Sequence, residues 1–279
     1  MRYLLGLVVF WLGIGPGVGP GSVGLWISGA AAQSTEAEAP EVPQRSDPKT
    51  VYLTNGEWPP YSSRHLDHYG FFSRIVTEAL TLEGYSVVYG FFPWKRSYEL
   101  AKKGHWEGTI GWAPTEERQT DFYFSSEIVN VEKVFFHLRD KSFDWNKVED
   151  LADYRLGVTA GYTYGRDFDQ LRQDEGLKID ESNNDKANLV KLLRGRIDAF
   201  PLELDVGYYM IQSTLKKRDA SKITHHPRAV METPIAVAIS RQIAPERADE
   251  ILAALNRGLQ TLRELGIYEK YRTEMMPRS

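Results

Sequence analysis

The chain of 279 residues contains no cysteine. Disulfides, thiol catalysis and a lipid-linked N-terminal cysteine are therefore excluded, and stability must come from buried apolar core. Charge of one sign is not in excess either: the formal net charge is −4. That gives no electrostatic case for a nucleic-acid partner, and the short basic run Lys216-Lys217-Arg218 reads as a solvated face. Catalytic signatures are missing as well. There is no G-x-S-x-G elbow and no H-E-x-x-H, and the six histidines are scattered apart from His65 with His68 and His225-His226. Both pairs read as surface loop residues, because no carboxylate-rich metal set accompanies them. No cofactor or metal is expected.

The one strongly apolar stretch lies at the N-terminus. Arg2 is followed by the apolar run Leu4 to Leu12, then glycines and prolines, then Ala30-Ala31-Ala32. The pattern is that of a secretory signal peptide, residues 1–32, cleaved after Ala32; the run is too short and too interrupted for a membrane span. Residues 33–49 are rich in Glu, Ala, Pro and Ser and read as a disordered leader.

The stretch Gly104 to Ser125 is the centre around which the remaining chain is organised. Thr109 to Trp112 is a short apolar run with turn residues on both sides, a strand signature. Pro114 ends it, and Thr115 stands where a helix cap would, ahead of Glu116 and Glu117. Arg118 then has two readings: a surface arginine paired with Glu116, Glu117 or Asp121, or a planar fork presented to a carboxylate beyond a strand's carboxyl end.

Elsewhere strands and amphipathic helices alternate. Thr50 to Leu53 is a strand followed by Trp58-Pro59-Pro60-Tyr61, whose prolines keep Trp58 on a loop. Phe72, Ile75, Val76, Ala79 and Leu80 recur at helical spacing, and Gly84 ends that helix. Pro93-Trp94 opens another, where Trp94 suits a core or a ligand face equally; Arg96 beside it reads as surface. Val131 to Leu138 is an alternating strand, and Phe143 to Asp153 an acidic linker and helix. Arg155 to Val158 is a strand running into Thr159-Ala160-Gly161-Tyr162-Thr163-Tyr164-Gly165, a turn that exposes backbone N–H groups near a helix start. No lysine follows its second glycine, so it is not a phosphate-binding loop. Gly195-Arg196-Ile197-Asp198-Ala199-Phe200 repeats the order of Gly104-His105-Trp106-Glu107-Gly108-Thr109, which points to two lobes of like topology. Glu203 ends that strand and reads as a ligand contact or as a cap of the helix Val206 to Ile211. Met231 to Ser240 is an apolar strand, and Ala248, Ile251, Leu252, Leu255, Leu259 and Leu262 mark a long closing helix.

The segment G-x-aromatic-acidic-G, strand, T-E-E-R-x-x-x-F-x-F-S resembles the family 3 solute-binding proteins of bacterial ABC importers. So do the W-P-P-Y loop, the G-Y-T turn and the closing L-G-I-Y-E-K-Y, and the resemblance spans nearly all of Val51 to Met275. It implies an α/β, two-lobed periplasmic-binding-protein fold of type II, with a ligand cleft between lobes joined by two crossing strands. Residues 50–130 and 236–279 would form lobe I, and 131–235 lobe II, with the first crossing near Asn130 to Lys133.

By the same resemblance Arg118 holds a ligand carboxylate, and Trp58 and Trp94 face the ligand. Gly161 and Thr163 hold it from the second lobe, and Glu203 stands where an acid takes an amino group. The implied partners are a small solute and a membrane permease, for a monomeric periplasmic protein that is not an enzyme. The chain departs from the pattern at Gly111, Trp112 and Ala113, where small hydroxyl residues are usual. Trp112 joins the expected site and favours a flat solute over a standard amino acid. Two other classes remain: a dehydratase-like enzyme on the same fold, with Glu57 or Glu203 as its acid or base, and a solute-sensing module of a signalling system.

Overall fold

The computed structural model describes residues 42–275. The expected signal peptide and most of the leader lie outside the described residues. The end of the leader does not behave as its composition implies. Arg45 donates to the carbonyls of Gly104 and His105 at 2.7 and 2.8 Å, and Tyr52 donates to that of Gln44 at 3.1 Å. Long side chains thus tie residues 44 and 45 to the first lobe.

That lobe is built on a sheet of β1 (Thr50–Asn55), β2 (Ser86–Phe91), β3 (Gly108–Trp112) and the short β4 (Phe122–Phe124). β1 lies between β2 and β3, parallel to both, as strands joined by crossover helices must be. The crossovers are α1 (Phe71–Leu82) and α2 (Trp94–Lys102), and α3 (Glu116–Gln119) is a single turn before β4. The apolar face read from the sequence is the buried face of α1, which packs on α8 (Pro245–Glu264). A Cβ on Gly258 would sit 2.0 Å from the carbonyl oxygen of Ala79, so the two helices approach at a glycine. α9 (Ile267–Met275) closes the lobe.

The second lobe carries β5 (Val129–Leu138), β6 (Arg155–Thr159), β7 (Lys178–Ser182) and β8 (Ala199–Glu203), with α4 (Arg166–Gln173), α5 (Asp185–Leu193), α6 (Leu204–Thr214) and α7 (Lys217–Ala220). β6 is parallel to β7 and β8, while β5 runs antiparallel to β8. Between β5 and β6, Val148–Asp153 is a 3-10 turn rather than a regular helix, anchored by the buried Phe143 and Trp145.

β9 (Ile223–Ser240) joins the two sheets. Its first part pairs with β5, as far as Ile235 with Val129; from Ala236 it pairs with β3. The apolar pattern of the sequence starts this strand only at Met231, because His-His-Pro-Arg interrupts it. The structure absorbs that interruption in a register shift between the Val134–Ala229 and Phe136–His225 pairs. His225 and His226 are therefore strand residues and not surface loop residues. His226 is buried and meets Asp144 at 3.0 Å, and His225 meets the Tyr208 hydroxyl at 2.6 Å. His65 and His68 are exposed, as expected.

Candidate functional site

The aromatic wall of the cleft grows from three strand ends of the first lobe. β1 ends at Asn55, whose side chain accepts from Gly56 N–H at 2.8 Å and donates to Ser73 at 3.0 Å. That fixes the turn carrying Trp58, which bridges to Ser62. Trp94, at the start of α2, lies over two glycines. A Cβ on Gly56 would stand 2.4 Å from its indole, and one on Gly111 3.1 Å. Gly111 also holds φ at +87°, a conformation that favours glycine. The Trp94 N–H donates to the Glu57 carbonyl at 3.3 Å. Trp112 stands edge-on to Trp94, ring centres 5.5 Å apart, and donates to the Thr109 hydroxyl at 2.9 Å.

Arg118 completes this side. Thr115 caps α3 by accepting from the Arg118 N–H, as its position in the sequence implied. The guanidinium lies 4.8 Å from the centre of the Trp112 ring and donates to the Ala113 carbonyl at 3.1 Å. The pairing expected of a surface arginine is not made: Asp121 is paired with Lys102 at 2.9 Å, and among the described residues no ion pair joins Arg118 to a carboxylate.

The second lobe contributes the turn after β6 and the end of β8. Gly161, at φ +79°, Tyr162 and Thr163 are exposed. The turn is held from behind by Lys133, which donates to the Thr163 carbonyl at 3.1 Å and lies 4.9 Å from the Tyr164 ring. Tyr162 donates to Asp185 at 3.3 Å, and desolvation of its hydroxyl, with the Asp185 charge beside it, pushes its phenol up. Burial also raises the Asp185 carboxyl, against a 2.6 Å bond from the Thr159 hydroxyl. Glu203 occupies the cap position of α6 but makes no capping bond; its carboxylate meets Lys133 at 3.3 Å.

These side chains line one cleft of about 560 Å³, to which Trp58, Trp94, Trp112, Arg118, Gly161, Thr163 and Glu203 all contribute. Glu57, Gly111, Ala113, Lys133, Tyr162 and Ile235 complete the lining, and Arg96 stays outside it. Sequence reading missed Lys133, though a lone lysine within the apolar alternation of β5 was a usable signal. Tyr162 was visible in the turn but not separated from its neighbours.

No family model matches the sequence, and no curated protein matches it. Solved structures do. The second substrate binding domain of a putative amino acid ABC transporter from Streptococcus pneumoniae is 17% identical at a TM-score of 0.66, covering 82% of this chain and 100% of that one. Substrate binding domain 2 of Lactococcus lactis GlnP, in an open conformation, is 16% identical at 0.66, covering 85% and 98%. A histidine kinase sensor domain with similarity to periplasmic binding proteins is 20% identical at 0.59, covering 82% and 98%. The chain thus has the fold of the two-lobed solute-binding domains, as the sequence resemblance implied.

Proposed function

We propose that the chain is a periplasmic solute-binding protein that captures a small carboxylate-bearing solute by lobe closure and delivers it to an ABC permease. The single observation behind this reading is Arg118. It lines the cleft, rests on an indole, and has a neutral carbonyl as its hydrogen-bond partner. A guanidinium so placed is free to make two charge-assisted bonds to a carboxylate. The turn at Gly161 to Thr163 closes on the anion from the second lobe, and the crossing strands β5 and β9 form the hinge. Export rests on the N-terminal pattern ending at Ala32, and no helix among the described residues is long and apolar enough to cross a membrane. Two of the similar structures are named substrate binding domains, which favours binding over turnover, and both candidate catalytic acids, Glu57 and Glu203, are ion-paired.

The likeness to a kinase sensor domain supports a second reading, in which the same capture step feeds a signalling partner. Uptake reconstituted with a permease in vesicles separates the two. The capture step itself is tested by thermal-shift screening of small carboxylates, since a ligand that binds only the folded state raises Tm. Arg118→Lys then weakens the hit by about 10-fold or more, the scale of a lost charge-assisted hydrogen bond. Loss of under about 0.5 kcal/mol, the tolerance of an ordinary surface site, overturns the anchor.

A further inference from the structure

Every acid of the cleft already has a cationic or hydroxyl partner. Glu203 meets Lys133 at 3.3 Å, and Lys133 is only 8% exposed. Glu57 meets Arg64 at 3.4 Å. Asp185, behind Tyr162, accepts from Thr159 and Tyr162. Gly111, Trp112 and Ala113, leading up to Arg118, carry no side-chain acceptor. Arg118 differs from these groups in being charged with a neutral carbonyl and, among the described residues, no carboxylate as its partner.

A zwitterion entering this cleft satisfies Arg118 with its carboxylate, but among the lining residues its ammonium meets no carboxylate that lacks a cationic partner. Were the ammonium to approach Glu203, it would meet the charge of Lys133, and a desolvated unpaired cation is costly. A carboxylate without an ammonium has neither penalty. The walls add a shape requirement. Three indoles line the first lobe's side, and Tyr162, 42% exposed, contributes a ring from the second lobe. Aromatic surface from both lobes suits a planar ligand body.

Building on the reading of Arg118 as a carboxylate anchor, we infer that the site takes flat, ring-bearing monocarboxylates lacking an α-ammonium group, and that Lys133 excludes amino acids by occupying Glu203. The test uses matched pairs that differ only in the ammonium: 3-phenylpropionate against L-phenylalanine, and indole-3-propionate against L-tryptophan. Calorimetry on the wild-type chain is expected to show the deaminated member binding at least tenfold tighter. Lys133→Met frees Glu203 and moves the ratio at least tenfold towards the amino acid. Lys133→Gln keeps a donor for the Thr163 carbonyl and serves the same comparison if the methionine variant does not fold; the wild-type ratio needs no variant.

Amino acids binding as tightly as their deaminated partners overturn the inference and leave carboxylate capture standing, because both members carry that group. A ratio unmoved by either Lys133 variant overturns the role given to Lys133. Absence of binding by every member of both pairs overturns the ligand class. Carboxylate capture itself falls only if Arg118→Lys leaves the affinity for a screened carboxylate unchanged.

Discussion

The hydroxyl of Tyr61 donates to the carboxylate of Asp205 at 2.8 Å, across 144 residues of chain and from one lobe to the other. Tyr61 is buried in the first lobe's core, its ring stacked on Phe72 at 4.8 Å and 4.9 Å from Trp58 of the cleft wall. Asp205 lies in the first turn of α6, two residues beyond Glu203. Arg272 of α9 also approaches it, at 3.9 Å. The contact between lobes is therefore next to the cleft on both sides, by packing at Trp58 and by sequence at Glu203.

Tyr61→Phe keeps the stacking and removes the bond, while Asp205 retains Arg272. The expected loss of stability is about 1 kcal/mol, the usual worth of one hydrogen bond. Ligand affinity is expected to fall severalfold, because the bond favours the arrangement with the lobes together. Denaturant melts and ligand titrations on the same samples check both. An affinity equal to wild type shows that the bond does not bear on closure.

The tryptophans divide by what lies behind them. Trp58 packs against Tyr61 and Phe72, whereas Trp94 rests on Gly56, Gly111 and the indoles of Trp58 and Trp112. Trp58→Ala is expected to lower both Tm and ligand affinity, the latter by about 1–3 kcal/mol, the scale of a buried aromatic contact. Trp94→Ala is expected to lower affinity on the same scale with a smaller change in Tm. Intrinsic fluorescence of the wild type changes on ligand addition. Unaltered fluorescence with a tight ligand argues that neither indole faces it.

The parts legible in the sequence were those set by local pattern. The 3.6-residue periodicity of α1 and α8 named their buried faces, and Thr115 named its cap. Trp58, Trp94 and Trp112 stand at or just beyond the carboxyl ends of β1, β2 and β3, Gly161, Thr163 and Glu203 at those of β6 and β8, and Arg118 in α3, the turn that follows β3. What could not be read was pairing at a distance. Nothing local says that Lys133 faces Glu203, since that depends on the register of β5 against β8. The first half of β9 was hidden for the same reason: its continuity comes from the ladder with β5, which tolerates a shift around Pro227. His225 and His226 were misjudged because their partners, Tyr208 and Asp144, come from other segments.

Asp198 carries a pH dependence. Its bond from the Arg155 side chain, the largest influence, holds its carboxyl below the ordinary value of 3.8, and the Arg155 backbone N–H adds to this. A carboxyl lowered in the folded state contributes stability that is fully present above its unfolded value and is lost as pH falls through the folded one. Asp198→Asn is therefore expected to destabilise by about 0.5–1.5 kcal/mol at pH 7, a figure kept small by the site's partial exposure. The gap from wild type closes below pH 3.8. A gap that is constant with pH down to 2.5 contradicts the assignment.

Glu107 occupies the equivalent place in the first lobe, and the repeat seen in the sequence is a repeat of bonds. Glu107 accepts from the Tyr52 N–H at 2.8 Å and returns its own N–H to the Tyr52 carbonyl at 3.0 Å. Asp198 does the same with Arg155, at 2.8 and 2.7 Å. Each acid fastens its strand to the parallel neighbour, β3 to β1 and β8 to β6, and each also holds an arginine. The difference is burial. The Glu107 side chain is 4% exposed and that of Asp198 34%. Arg247, the partner of Glu107 at 2.8 Å, also donates to the carbonyls of Pro48 and Thr50. Removing Glu107 strands a buried amide and leaves Arg247, 18% exposed, with only the more distant carboxylate of Glu250 at 3.7 Å. Glu107→Ala is expected to cost about 3–5 kcal/mol, the range for breaking a buried pair, against about 1 kcal/mol for Asp198→Ala. Urea unfolding of the two variants side by side measures the contrast. Equal losses would mean that burial does not set the strength of this repeated clasp.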